Sequence, residues 1–196
     1  MGIVKTFYPN SNSIISIWKI KESIEELNKL VDNNLEIKNI IKQKEYLSSR
    51  LLIKDMCENF NIKYSSIIKN SDGKPFLKNK NEFISISHKF PYSVAIINKK
   101  KECGIDIEKI NEKVLYIKNK FLSKSELSNV GKSVKKATVF WSIKEAIYKI
   151  KGKTIPFKKI HILKNDTNKK YVVKINELKY KIKILELDNH IISYSV

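Results

Sequence analysis

Four side chains in the second half of the chain have the types and spacing that metal and phosphate chemistry requires. Asp106 and Glu108 stand two residues apart in a stretch with strand character, so both carboxylates point to one face. Glu145 and Lys149 stand four residues apart in a helical stretch, so they share one stripe of the helix. Carboxylate oxygens suit Mg²⁺, and an ammonium group suits a phosphate. These residues are therefore candidates for a metal and phosphate site.

Each pair also has an ordinary interpretation. Glu145 and Lys149 are in the favourable order for an i,i+4 ion pair on an exposed helix, which contributes about 0.2–0.5 kcal/mol. Asp106 and Glu108 could be solvated acids on an exposed strand. The metal interpretation gains from the combination, because two carboxylates on one face repel each other unless a cation or a proton lies between them.

The helix that carries Glu145 and Lys149 is predicted over residues 133–151. Its polar stripe also includes Trp141, one turn before Glu145. Gly152 is predicted to end the helix. The residues predicted for its core-facing side are Ile143, Ile147 and Ile150.

Hydrophobic periodicity predicts an α+β chain. The predicted strands cover 2–8, 13–20, 83–87, 92–98, 103–108, 160–164, 170–176, 179–187 and 190–195. The other predicted helices cover 22–32, 37–60, 114–120 and 124–130, the last with a capping box of Ser123 and Glu126. Turns are predicted at 70–73 and 88–91. We interpret the chain as two similar halves, 1–102 and 103–196, related by a pseudo-twofold. Each half has a long helix packed on an antiparallel sheet.

Composition excludes several classes of protein. The chain has 196 residues, 42% of them hydrophobic, which is enough to bury a core. Its net charge of +19 favours anionic partners. Cys57 and Cys103 belong to no C-x-x-C pair, so we expect two buried thiols and no structural zinc site. No signal peptide and no membrane span are expected, and a cytoplasmic protein is predicted.

Two segments, 104–108 (GIDIE) and 141–149 (WSIKEAIYK), resemble the paired signatures of the 4′-phosphopantetheinyl transferases. Glu145 follows Asp106 by 39 residues, in keeping with that family. Shorter segments agree in order and spacing, namely 73–75 (GKP), 85–88 (SISH), 121–126 (FLSKSE) and 152–153 (GK). The surfactin-synthetase-activating type is most similar, because its chain is a fused double unit of about this length.

The resemblance implies a fold, a reaction and a set of partners. The enzyme would move 4′-phosphopantetheine from coenzyme A to a serine of an apo acyl or peptidyl carrier protein, releasing adenosine 3′,5′-bisphosphate. It would need Mg²⁺, with Mn²⁺ as the possible substitute. The implied protein is a cytoplasmic monomer that binds neither membranes nor nucleic acid. The carrier could belong to fatty-acid, polyketide or nonribosomal-peptide synthesis.

The resemblance also implies residue roles. The metal ligands would be Asp106, Glu108 and Glu145, with the apolar Ile107 between the strand acids and water completing the coordination. Glu145 would accept the serine proton, with Glu126 as a second candidate. Lys149 would stabilise charge on the phosphates. The residues expected to hold coenzyme A, including its 3′-phosphate, are Lys74, Ser87, His88, Arg50 and Lys149.

Two other functions remain open from the residues alone. The basic surface and the 19 aromatic residues would suit a nucleic-acid-binding module, although no zinc-finger, helix-turn-helix or RNA-recognition signature is present. The same acids would also serve another Mg²⁺-dependent phosphoryl or nucleotidyl transferase. Incubation with coenzyme A and an apo carrier protein distinguishes these possibilities from phosphopantetheinyl transfer.

Overall fold

The computed structural model describes residues 2–31, 37–78, 80–151, 155–166 and 169–196. The chain is a mixed α+β protein with antiparallel sheets, and it divides into two compact units, Met1–Cys103 and Gly104–Val196. This boundary lies one residue after the predicted one. None of the helices in the described ranges is long and apolar enough to span a membrane.

The first unit combines a four-stranded sheet with one long helix. In chain order its elements are β1 (Ile3–Asn10), β2 (Ser13–Lys19), α1 (Ile24–Asn28), α2 (Ile40–Asn59), β3 (Ile67–Lys69), β4 (Pro75–Leu77), β5 (Phe83–Lys89) and β6 (Tyr92–Asn98). The sheet has the order β1-β2-β6-β5, and all its pairs are antiparallel. Strands β3 and β4 form a separate hairpin.

Helix α2 packs its apolar side against this sheet. Asn39 begins the helix, because its side-chain oxygen accepts a hydrogen bond from the amide of Lys42 at 3.0 Å. The buried residues that α2 contributes to the core are Leu47, Leu51, Leu52, Ile53, Met56 and Cys57. They share a cluster with Ile14 and Trp18 of β2 and with Ile97 of β6. The long helix and the central strands therefore form the core of the first unit.

The second unit consists of three α-helices, one 3-10 helix and a five-stranded sheet. In chain order its elements are β7 (Ile105–Lys109), α3 (Lys113–Phe121), α4 (Lys124–Val130), α5 (Val134–Lys151), a 3-10 helix (Phe157–Lys159), β8 (His161–Asp166), β9 (Lys170–Ile175), β10 (Leu178–Leu187) and β11 (His190–Ser195). The strand order is β7-β11-β10-β9-β8, antiparallel throughout.

Helix α5 covers the face of the sheet on which the β7 acids lie. Residues directly opposite in an antiparallel pair share a face, and Asp106 and Glu108 lie opposite Ser193 and Ile191 of β11. Ile191 belongs to the same buried cluster as Ile143 and Ile147 of α5. The sheet register therefore brings the strand acids beneath the helix.

Most predicted elements are present with small changes at their ends. All nine predicted strands appear, and the capping box that starts α4 is confirmed, since Ser123 Oγ accepts from the amide of Glu126 while the Glu126 carboxylate accepts from the amide of Ser123. Both cysteines are buried, which raises the pKa of each thiol to about 12, so their predicted core role is confirmed. The predicted stop at Gly152 lies outside the described residues.

Two local predictions differ from the structure, and one short hairpin was not predicted. The first helix covers only Ile24–Asn28, although 22–32 was predicted and residue 32 lies outside the described ranges. His88 lies in β5, because its ladder with β6 continues to the pair Lys89–Tyr92. The β3–β4 hairpin was not predicted, because strands of three residues are too short to show an alternating pattern.

Candidate metal and phosphate site

The acids of β7 lie close to α5 because a glycine precedes the strand. A Cβ on Gly104 would overlap the backbone carbonyl oxygen of Ala146 in α5. Only glycine lets the two backbones approach this closely. Two residues later Asp106 is buried, with 4% of its surface exposed, and Glu108 is partly buried. The alternate residues Ile105 and Ile107 are also buried, as predicted.

Helix α5 supplies a donor to each strand acid. The ammonium group of Lys149 donates to Asp106 Oδ1 at 2.8 Å and to the Ile105 carbonyl oxygen at 3.0 Å. The indole Nε1–H of Trp141 donates to Glu108 Oε1 at 3.0 Å. Both donors belong to the stripe that also carries Glu145. The two contacts therefore fix the helix and strand in one register at this point.

Glu145 feels the charges of both strand acids. Its pKa is raised to about 7, first by burial and then by the negative charge of Asp106, with a smaller contribution from Glu108. The positive charge of Lys149 opposes this rise. These interactions show that the four charged groups share one electrostatic environment. Three acids beside a single ammonium leave negative charge that a proton or a cation can balance.

The donor set fits a hard divalent cation. Oxygen ligands from carboxylates are those that Mg²⁺ and Mn²⁺ prefer. A cation would also offset the negative charge of Asp106 and Glu108 which, after burial, raises the pKa of Glu145. In the part of the chain that the structure describes, no three histidine, cysteine, aspartate or glutamate side chains form a ready-made metal cluster. The side chains of Asp106, Glu108 and Glu145 would therefore have to rearrange around an ion.

Glu126, the second candidate base, lies in a different network. Its Oε2 accepts from the Lys144 ammonium at 2.7 Å and from the Ser123 amide at 2.9 Å. Its Oε1 accepts from the amide of Ile162 at 3.0 Å. Three donors of the chain thus engage this buried carboxylate, which ties α4, α5 and β8 together.

Lys144 is the residue of this region that sequence reasoning missed. Its side chain is completely buried, and its ammonium also donates to the carbonyl oxygens of Phe121 and Phe157 at 2.9 and 3.0 Å. Burial lowers its pKa, and Glu126 opposes that shift. A lysine on a predicted helix normally lies in solvent, so no local signal distinguished this one.

In the first unit, Lys74 lies on the turn of the β3–β4 hairpin. The turn needs Gly73, whose φ is 79°. The Lys74 ammonium pairs with Glu102 at 2.8 Å and lines a cavity of about 200 Å³. Phe76 and Glu82 also line this cavity.

His88 is held by a carboxylate of α2. Its Nδ1 lies 3.1 Å from Glu45 Oε2, while Glu45 Oε1 accepts from the Phe90 amide at 2.9 Å. Burial raises the pKa of Glu45. The hydrogen bond and the charge of His88, with the Phe90 amide, together outweigh this effect, so the net shift of the pKa is downward. The imidazole is half exposed. Ser87, its neighbour in β5, is buried and points to the opposite face of the sheet.

Arg50 packs on an aromatic ring of its own helix. Its guanidinium carbon lies 3.2 Å from the centroid of the Tyr46 ring, and Nη1 donates to the Tyr46 carbonyl oxygen at 3.2 Å. Arg50, Lys74 and His88 therefore stand on α2, on the hairpin turn and on β5, each with protein partners of its own.

Comparison with known proteins supports the resemblance seen in the sequence. Residues 102–195 match the model of the 4′-phosphopantetheinyl transferase superfamily. The match spans β7, α4 and α5, and so includes all the predicted metal ligands together with Lys149 and Glu126. No curated protein matches the chain. The match covers the second unit, so residues 102–195 are similar to this superfamily.

Proposed function

We propose that this protein transfers 4′-phosphopantetheine from coenzyme A to a serine hydroxyl of an apo carrier protein and releases adenosine 3′,5′-bisphosphate. The observation that carries the proposal is the grouping of Glu145 and Lys149 with the two acids of β7. Lys149 bonds Asp106 at 2.8 Å, and Asp106 and Glu108 both raise the pKa of Glu145. The superfamily match over residues 102–195 covers this grouping.

The three acids would hold Mg²⁺, or Mn²⁺ in its place, as the cofactor. When bound, the cation neutralises the diphosphate of coenzyme A and stabilises the charge that develops during transfer. Asp106 is suited to the role because it is buried and oriented by Lys149. Glu108 is oriented in the same way by Trp141. The water-poor surroundings of these acids strengthen their attraction for a cation.

Glu145 is the better candidate for the general base. Its pKa of about 7 belongs to the metal-free protein and would fall when a cation binds, so the choice rests on its place beside Asp106 and Lys149. Glu126 would have to lose the ammonium of Lys144, since that group donates to its Oε2. We therefore assign proton transfer to Glu145 and a structural role to Glu126.

Lys149 would contact the phosphates at the same site. Its ammonium is already directed toward Asp106, and the side chain retains 26% exposure. An anionic phosphate beside Asp106 would share that positive charge, which favours the transition state as negative charge moves to the leaving group.

The first unit would bind the nucleotide of coenzyme A. Lys74, His88 and Arg50 provide cationic or ionisable groups, and Ser87 adds a hydroxyl. Lys74 sits at a built cavity and His88 has one ring nitrogen anchored on Glu45, so both side chains are oriented. Orientation before binding reduces the entropy that binding costs.

The fused double-unit type and a cytoplasmic monomer complete the proposal. Each compact unit contains one long helix, of 20 and 18 residues, packed with an antiparallel sheet. This supports two similar halves. The net charge of +19 would raise the association rate with acidic carrier proteins. An unchanged Michaelis constant for the carrier at high salt would contradict that electrostatic contribution.

The test is mass spectrometry of apo carrier proteins after incubation with the full chain, coenzyme A and Mg²⁺. We expect the mass of one phosphopantetheine on the carrier serine and none on a carrier with that serine changed to alanine. Asp106→Ala and Glu145→Ala should abolish transfer with the fold intact. Glu186→Gln is the matched control, because Glu186 forms ion pairs with Lys135 and Lys169 elsewhere in the same unit. Absence of transfer to fatty-acid, polyketide and peptide carriers would refute the function.

A further inference from the structure

Trp141 makes a contact with the site that its place in the helix does not require. Its indole Nε1–H donates to Glu108 Oε1 at 3.0 Å, across 33 residues of chain. The indole is partly buried. A hydrogen bond to a carboxylate in such surroundings is stronger than one between neutral groups in water.

Two aromatic neighbours hold the indole in place, and a third ring supports one of them. The Trp141 ring meets Phe121 at a centroid distance of 4.9 Å in an edge-to-face arrangement, and it meets Phe157 at 5.2 Å. Tyr148 packs on Phe157 at 5.4 Å. Rotating the indole away from Glu108 would break these ring contacts, so the direction of the N–H bond is fixed by packing.

The two donors of α5 act at opposite ends of the acid pair. Trp141 bonds Glu108 and Lys149 bonds Asp106, so α5 runs antiparallel to β7. Eight helical residues span about 12 Å, whereas two strand residues span about 7 Å. The donor side chains therefore converge on the strand from either side of Glu145, and each engages one oxygen of its carboxylate.

We propose that Trp141 is a positioning residue: its indole N–H orients the carboxylate of Glu108 toward the divalent cation, an inference that rests on the proposed function. Groups that hydrogen-bond a metal-ligating side chain set its orientation, and their loss typically lowers metal affinity 10–100-fold. Because the same N–H touches a ligand of the cation, the fluorescence of Trp141 should report cation binding.

The experiment measures Mn²⁺ affinity of the full chain from the EPR signal of free Mn²⁺, in the presence of coenzyme A. Trp141→Phe removes the N–H and keeps an aromatic ring against Phe121 and Phe157. We expect the dissociation constant for Mn²⁺ to rise 10–100-fold. Phe157→Leu, which loosens the ring stack and keeps the indole, should give a smaller rise.

The first unit provides a matched control. Trp18 Nε1 donates to Glu22 Oε2 at 3.2 Å, which is the same kind of bond in the other unit. Trp18→Phe should leave Mn²⁺ affinity unchanged and leaves Trp141 as the only tryptophan of the chain. In this variant Mn²⁺ should change the fluorescence with the dissociation constant found by EPR.

Three results would overturn the inference: Mn²⁺ affinity unchanged in Trp141→Phe, no fluorescence change in Trp18→Phe on saturation with Mn²⁺, or no Mn²⁺ binding by the unaltered chain. A parallel assay of phosphopantetheine transfer separates failure of the positioning role from failure of the proposed function. Transfer by the unaltered chain with normal Mn²⁺ affinity in Trp141→Phe refutes the positioning role alone. A lack of transfer to every carrier, with Mn²⁺ affinity lost in Trp141→Phe, refutes the function and leaves the positioning role.

Discussion

Lys149 Nζ lies 2.8 Å from Asp106 Oδ1, and this ion pair joins the last turn of α5 to the first acid of β7. The two residues are 43 positions apart in the chain. Lys149 thus balances a strand acid as well as lowering the pKa of Glu145 on its own helix. One ammonium does not balance three acids, and this excess of negative charge makes the site responsive to pH and to cations.

The stability of the metal-free protein should depend on Glu145. Its pKa is about 7 in the folded protein against 4.5 as the ordinary value, so the folded state binds this proton more tightly. The resulting stabilisation is complete below pH 4.5 and is lost as pH rises to 7. As pH rises through that window, we expect the loss of this contribution to lower the free energy of unfolding by on the order of 3 kcal/mol. Urea unfolding in EDTA measures it.

Glu145→Gln should remove that dependence on pH. Glu186→Gln is the control with the opposite sign: hydrogen bonds from Lys135 and Lys169 lower the pKa of Glu186, so its contribution is lost as pH falls through that lowered value. Mn²⁺ should bind more tightly as pH rises through 7, because binding displaces the Glu145 proton. If Mn²⁺ affinity rose equally with pH in the unaltered chain and in Glu145→Gln, the assignment of this proton to Glu145 would be wrong.

Gly104→Ala should separate β7 from α5. The new methyl group would overlap the Ala146 carbonyl oxygen, so the strand must move. We expect a loss of about 1–3 kcal/mol in unfolding free energy and a clear fall in Mn²⁺ affinity. Gly131→Ala is the control, because Gly131 has a φ of 55° but no atom near its added Cβ. It should cost about 1 kcal/mol without changing Mn²⁺ affinity. Normal cation binding in Gly104→Ala would show that the close approach is unimportant.

Lys144→Met should destabilise the second unit. The change leaves the Glu126 carboxylate buried beside an apolar side chain, which typically costs about 3–5 kcal/mol. Adding Glu126→Gln should recover part of this loss, because the buried charge is removed. Lys135→Met breaks the exposed pair with Glu186 and should cost less than about 1 kcal/mol. Chemical denaturation compares the variants, and equal losses for Lys144→Met and Lys135→Met would argue against a structural pair.

His88→Ala should weaken the recognition of the 3′-phosphate of coenzyme A. We expect a roughly tenfold higher Michaelis constant for coenzyme A and little change for dephospho-coenzyme A, which lacks that phosphate. Glu45→Gln should act in the same direction with a smaller effect, because it removes the charge that anchors Nδ1. His161→Ala, an exposed histidine in the second unit, is the control. Equal effects on both substrates would remove His88 from a phosphate site.

Local sequence patterns were enough to predict the elements that carry the chemistry. Alternation in β7 predicted that Asp106 and Glu108 share a face, and helical spacing predicted the stripe of Trp141, Glu145 and Lys149. These predictions succeed because the direction of a side chain within a strand or helix depends on neighbours a few residues away. The same reasoning identified the capping box of Ser123, since its two hydrogen bonds lie within one turn.

Only tertiary packing decided which of these groups meet. Lys144 and Lys149 look alike in the sequence, yet one is buried against Glu126 while the other holds Asp106 at the edge of the site. The bond from Trp141 to Glu108 likewise depends on how closely α5 lies on β7, which the contact at Gly104 sets. Periodicity reports the orientation of a side chain within its own element. The partners of that side chain depend on the distance and register between elements far apart in the chain, and packing of the whole unit determines both.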